Sequence, residues 1–212
     1  MKKYLAVFLL GLSVNATAAE PSIGNADVTD FTLSGQAADG IAFSTANGQA
    51  GPNGNVDTFN STFAGSWNLL AKVDGSGTFQ NPLTTLVGSP LGLNFSLSAD
   101  KKSGEWSIVS SSSMILDLVL GMHAGGATTS FLFDNTQLTA GQTQTGTFKV
   151  DWFNGGGKVP SYSNLTMFYK DASLVSVSPV PEPATYGMML AGLGLLGFMM
   201  NRRKNRGGMR PV

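Results

Sequence analysis

The stretch LGLNFSLSADKKSGEWSIVSSS, from Leu91 to Ser112, constrains the fold more than any other part of the chain. Leu91, Leu93, Phe95 and Leu97 alternate with Gly92, Asn94, Ser96 and Ser98, a period of two held over eight residues. That period places the apolar side chains on one face of a strand and excludes an amphipathic helix. ADKKSG then supplies a polar turn, and Trp106, Ile108 and Ser110 carry the apolar face back along a returning strand. Shorter runs of the same kind recur between turn residues. They are DVTDFTLSGQAADG, GSWNLLAKVDGSGTF, MILDLVLGMHAGG, TSFLFDN, TGTFKVDWFNGGG and NLTMFYKDASLVSV. No long segment has helical periodicity and no exact repeat is present. These units predict an all-β fold, a single β-sandwich of jelly-roll type with seven to nine strands over residues 20–178. Residues 35–62 are poor in hydrophobics and read as a long surface loop or partly disordered insertion.

The formal charge of zero conceals a segregation. Lys2 and Lys3 open the chain, and Arg202, Arg203, Lys204, Arg206 and Arg210 close it. Between Glu20 and Ser178, twelve acidic residues face six lysines. An acidic body of this kind argues against nucleic acid as a partner, because phosphate binding needs clustered cations. The chain has no cysteine, so disulfides and thiolate metal sites are excluded and the fold rests on burial and hydrogen bonding.

Both ends have the character of processing segments. MKK, the apolar run YLAVFLLGLSV and the small-residue stretch NATAAE form the three parts of a secretory signal over residues 1–19. Cleavage by signal peptidase is expected around Ala18 and Ala19, leaving a chain that starts at Ala19 or Glu20. At the other end, Pro181-Glu182-Pro183 precedes fourteen residues without a charge, Gly187–Met200, and then the basic group Arg202, Arg203, Lys204 and Arg206. With the three residues before it, that run forms a helix of roughly 25 Å, at the short end of what a bilayer requires. A short transmembrane helix is therefore expected, with the basic cluster as its cytoplasmic stop. The two prolines hold the preceding backbone extended.

This order of acidic tripeptide, weak span and basic stop, over residues 179–206 with 207–212 as a tail, resembles the PEP-CTERM sorting signal of Gram-negative bacteria. The resemblance implies recognition of Glu182 and its flanking prolines by an exosortase, a membrane-embedded, cysteine-dependent transpeptidase. It implies cleavage near the motif and transfer of the body to the cell surface or an extracellular matrix. The body from Gly104 to Tyr169 is also similar to that of many such proteins, on GEWSIV, LDLVLGMHAGG, FLFDN, TGTFKVDWF and SNLTMFY. That similarity implies a β-rich extracellular domain and no activity.

Chemistry in the body is sparse. His123 is the one histidine, and no GxSxG elbow is present. Asp117, Asp134 and Asp151 are the acids available to a secreted polysaccharide hydrolase or lyase, against turn-capping as the plainer role. Asp27, Asp30, Asp39 and Asp57, among Asn and Gly, suit a structural Ca²⁺ on loops, without the spacing of a known calcium loop. No other metal or cofactor is expected. Trp67, Trp106 and Trp152 would serve a small carbohydrate-binding module if exposed, and a core if not. The expected function is structural or adhesive and non-enzymatic: association with exopolysaccharide in a biofilm or floc.

Overall fold

The computed structural model describes residues 19–175 and the helical residues 183–204, with side chains in that helix from Tyr186 to Met200. The chain divides into two compact units, residues 1–175 and 176–212. Residues 1–18, and with them the signal peptide, lie outside the described residues, as do Pro181, Glu182, Arg206 and the tail 207–212.

Among the described residues the first unit has twelve strands. They are β1 (Thr32–Leu33), β2 (Gln36–Ala37), β3 (Gly40–Ser44), β4 (Asn68–Val73), β5 (Phe79–Gln80) and β6 (Thr85–Leu86). They continue with β7 (Ser89–Leu97), β8 (Ser103–Ser110), β9 (Met114–Ala124), β10 (Ala127–Leu138), β11 (Thr143–Lys149) and β12 (Tyr162–Leu174). A six-stranded sheet has the order β3-β10-β9-β12-β4-β5, and a four-stranded sheet the order β11-β8-β7-β6. All pairings between these strands are antiparallel.

Alternation decides which side chains meet between the sheets. In the β7–β8 hairpin Leu93 lies opposite Ile108 and Phe95 opposite Trp106, as the period of two requires. On the large sheet Leu116, Leu118, Leu120 and Met122 of β9 face the same core as Phe131 and Phe133 of β10 and Leu165 and Met167 of β12. Phe31 is the pin between the layers. Its ring lies 5.7 Å from Trp106 and from Phe148 on the small sheet, and 5.1 Å from Phe131 on the large one. The architecture is an all-β sandwich.

Two expectations are corrected. The jelly-roll weave is absent, because β7–β8 and β9–β10 are hairpins within one sheet rather than connections between sheets. Residues 35–62 are no loose insertion: they contain β2, β3 and a 3-10 turn at Val56–Thr58. Phe59 from this region, with Phe63 just after it, covers Val119 and Phe168 on the outer face of the large sheet. A central sheet exposes two faces, and a few apolar residues in a polar stretch suffice to cap the second. Gly54 makes this possible: its φ is +74°, and a Cβ there would stand 2.7 Å from the Phe168 ring.

The second unit contains α1, Pro183–Lys204, a helix of 22 residues. Proline at its first position costs nothing, because the first-turn amide has no intrahelical acceptor. Every described side chain of α1 is exposed, from Tyr186 at 50% to Met188 at 76%.

Candidate functional site

Four places were singled out by sequence, and the structure treats them differently. The sorting segment is the first. Pro183 opens α1, and Arg202, Arg203 and Lys204 are its last three positions. Apolar residues occupy the whole circumference of the helix: Met188, Met189, Leu190 and Phe198 point in four directions about its axis and leave no polar face between them. A water-soluble surface helix has such a face, and this one does not. A Cβ added at Gly187, Gly192, Gly194 or Gly197 would have nothing within 4 Å, so no packing demands these glycines. Each interior glycine costs about 1 kcal/mol relative to alanine, which makes α1 weak in water.

Among the described residues no helix is long and apolar enough to cross a membrane. The expected transmembrane helix is therefore not found there.

The signal-cleavage position is the second place. Ala18 falls outside the described residues. Ala19 is exposed, and its carbonyl lies against the backbone of Gly155. Ser22 then forms a two-bond antiparallel bridge with Phe153, each N–H to carbonyl distance being 3.0 Å. The first described pairing of the body thus begins within four residues of the expected cut.

The acids are the third. Asp117 and Asp134 come together and Asp151 does not. Asp117 sits on β9 opposite Lys170 of β12, whose Nζ is 3.4 Å from its Oδ2. The backbone N–H of Asn135 donates to its Oδ1 at 2.8 Å. Asp134 lies in the bulge of β10 beside it. Hydrogen bonding to the Asp117 carboxyl, and after it desolvation, pushes Asp134 above the ordinary carboxylate range. Asp151 belongs to another group, with Lys149 between it and Asp30 at 2.9 and 3.0 Å.

Three of the four loop aspartates named for calcium are already engaged. Asp27 caps the 3-10 turn Val28–Asp30, accepting from the Thr29 N–H, while Asp30 accepts from the Asp27 N–H in a closed capping box. Asp39 accepts from the Asp134 N–H at 2.8 Å. Asp57 stands apart in the turn at Val56–Thr58. Among the described residues no group of three His, Cys, Asp or Glu side chains could hold a metal ion. His123 is held by the Thr128 hydroxyl at 2.9 Å, and burial lowers its pKa.

The tryptophans are the fourth. Trp106 and Trp152 are 1% and 0% exposed, and their indole N–H groups donate to the carbonyls of Thr32 and Ala124, each at 3.0 Å. Neither can present a face to a sugar, which corrects that expectation for both. Trp67 is different. It is half-buried just before β4, fixed by its N–H to the Phe63 carbonyl at 2.8 Å, by the Phe59 ring at 5.6 Å and by the Lys170 ammonium 4.8 Å above its centroid. It lines a groove of about 610 Å³ with Leu69, Leu83, Tyr169, Asn53 and Asn68. Sequence reasoning missed the last five, because the groove is assembled from segments far apart in the chain.

A family model described as the PEP-CTERM protein-sorting motif matches residues 179–204. Neither the curated proteins nor the solved structures compared with the chain give a match. The chain carries a PEP-CTERM sorting motif, and such a motif implies export, a transient membrane anchor and processing by an exosortase.

Proposed function

We propose that the sandwich is cargo and the carboxyl segment its delivery label, starting from the PEP-CTERM sorting motif at residues 179–204. The single observation that carries the reading is the helix behind that motif. It is apolar on every side and exposed along its described length. A segment of that kind is comfortable only against lipid or another protein. Its four glycines and short apolar run make it a hesitant anchor. That suits a stay in the inner membrane long enough for an exosortase to meet Glu182.

After cleavage the body is released to the cell surface or an extracellular matrix, where its role is structural or adhesive, through association with exopolysaccharide in a biofilm or floc. Two features support a non-enzymatic body. Asp117 is committed to Lys170 and Asn135, and Asp151 is committed to Lys149 on a separate part of the surface. The test replaces Pro181, Glu182 and Pro183 together with alanine in the native host and follows the protein by fractionation. Retention of the full-length chain in the inner membrane supports the reading. Normal processing of the triple variant removes it.

A further inference from the structure

We infer that the groove beside Trp67 is a binding site for a neutral pyranose unit of a polysaccharide. This deepens the proposed association with exopolysaccharide and rests on that reading for its biological setting, though not for its chemistry.

Three observations on the groove point to the ligand class. Its wall is aromatic and aliphatic, made by Trp67, Tyr169, Leu69 and Leu83, and Leu83 is left 37% exposed. The C–H face of a pyranose is apolar and flat, and rings of this kind cover it well. Its polar edge consists of carboxamides: Asn53 and Asn68 are exposed, and neither side chain makes a hydrogen bond to the rest of the described protein. A carboxamide offers two donors and an acceptor, which matches the paired donor and acceptor character of vicinal sugar hydroxyls. None of the lining residues is charged. An acidic sugar or a phosphate would find no cation on the wall, because Lys170 is spent on Asp117 and on the Trp67 ring.

Size and stiffness agree with the chemistry. About 610 Å³ falls within the range of small-ligand sites and accommodates one or two sugar rings. Trp67 is held on three sides before any ligand arrives, by Phe63, Phe59 and Lys170. A ring already fixed loses little freedom on binding, so more of the contact energy appears as affinity.

The other two tryptophans are buried, so a change in emission on titration reports Trp67. The processed protein is titrated with neutral hexasaccharides of glucose, galactose and mannose, and separately with oligogalacturonate. A saturable shift in emission with at least one neutral hexasaccharide, and none with oligogalacturonate, is expected. Asn68→Ala and Asn53→Ala should each weaken the neutral ligand by about tenfold, with unchanged far-UV circular dichroism. No saturable response to any neutral hexasaccharide overturns the inference, as does binding that both variants leave intact. A protein that is sorted normally and fails this titration leaves the delivery reading standing. One that binds through Asn68 and Asn53 but is not processed leaves the groove standing and the delivery reading refuted.

Discussion

Gly146, in TGTF on β11, offers a test of sign rather than of size. Its φ is not in the left-handed region, so on backbone grounds alanine is allowed there. A Gly→Ala change at a compatible site stabilises by about 0.4–1 kcal/mol, through the unfolded chain. Contacts argue the opposite. A Cβ at this position would meet the Thr32 carbonyl oxygen and the Nε1 of Trp106, the two atoms joined by a 3.0 Å hydrogen bond. Trp106 is 1% exposed, so its indole cannot step aside into solvent. Prising the pair apart leaves a buried N–H unpartnered, about 1–3 kcal/mol, and overpacks the site by a similar amount. We expect Gly146→Ala to cost about 3 kcal/mol in total, which for a domain of this size lowers Tm by about 6–12 °C. Gly141→Ala is the comparison: its φ is +70° and nothing lies within 4 Å, so strain alone acts there, at about 1 kcal/mol. Thermal unfolding of the processed protein, followed by tryptophan emission, reads both. A Gly146→Ala variant as stable as the parent, or more stable, refutes the packing argument.

Other expectations concern buried polar groups and pH. Thr166, at the centre of β12, is wholly buried, and its hydroxyl has no hydrogen-bond partner among the described residues. Thr166→Val should therefore raise stability by about 1 kcal/mol in denaturant titrations, and a lower midpoint would contradict this. The folded-state pKa of Asp134 is raised, so the folded chain holds that proton more tightly than the unfolded one does. Stability should fall as pH rises from the ordinary carboxylate range through the raised value, then level off. Asp134→Asn should thus raise Tm at neutral pH and leave it unchanged at a pH well below the ordinary carboxylate range, whereas an equal effect at both would exclude the carboxyl contact. Asp74 is held at about 2 by its hydrogen bonds from the Ser76 hydroxyl and the Thr78 and Ser76 backbone. Asp74→Asn should remove stability that the parent keeps at neutral pH and loses on acidification toward about 2, as Tm measured against pH would show.

What could be read from the sequence followed the strength of the local pattern. Leu93 facing Ile108 and Phe95 facing Trp106 are direct consequences of a period of two on either side of a turn. In β9 the strand runs on through Gly121 to Ala124. A glycine inside a sheet is tolerated where a neighbour fills its space, and a Cβ on Gly121 would meet the Ser130 hydroxyl at 3.2 Å. The segment 35–62 misled because its value lies in which face it covers: Phe59, and Phe63 one turn after it, look isolated in sequence and meet Val119 and Phe168 only once the chain lies across the outer face of the large sheet. The acids misled in the same way. Whether Asp117 meets Asp134 or Asp151 is set by a bulge in β10 and by the pairing of β9, both long-range features. The sorting motif, by contrast, is contiguous, and contiguity is what made it legible.

Intact-mass measurement of the protein recovered from the native host's surface or matrix fraction tests the delivery account most directly. It should give a chain that begins at Ala19 or Glu20 and ends near Pro181–Pro183, without α1 and its basic end. A mass that includes the residues through Val212, in a molecule already outside the cell, would contradict it.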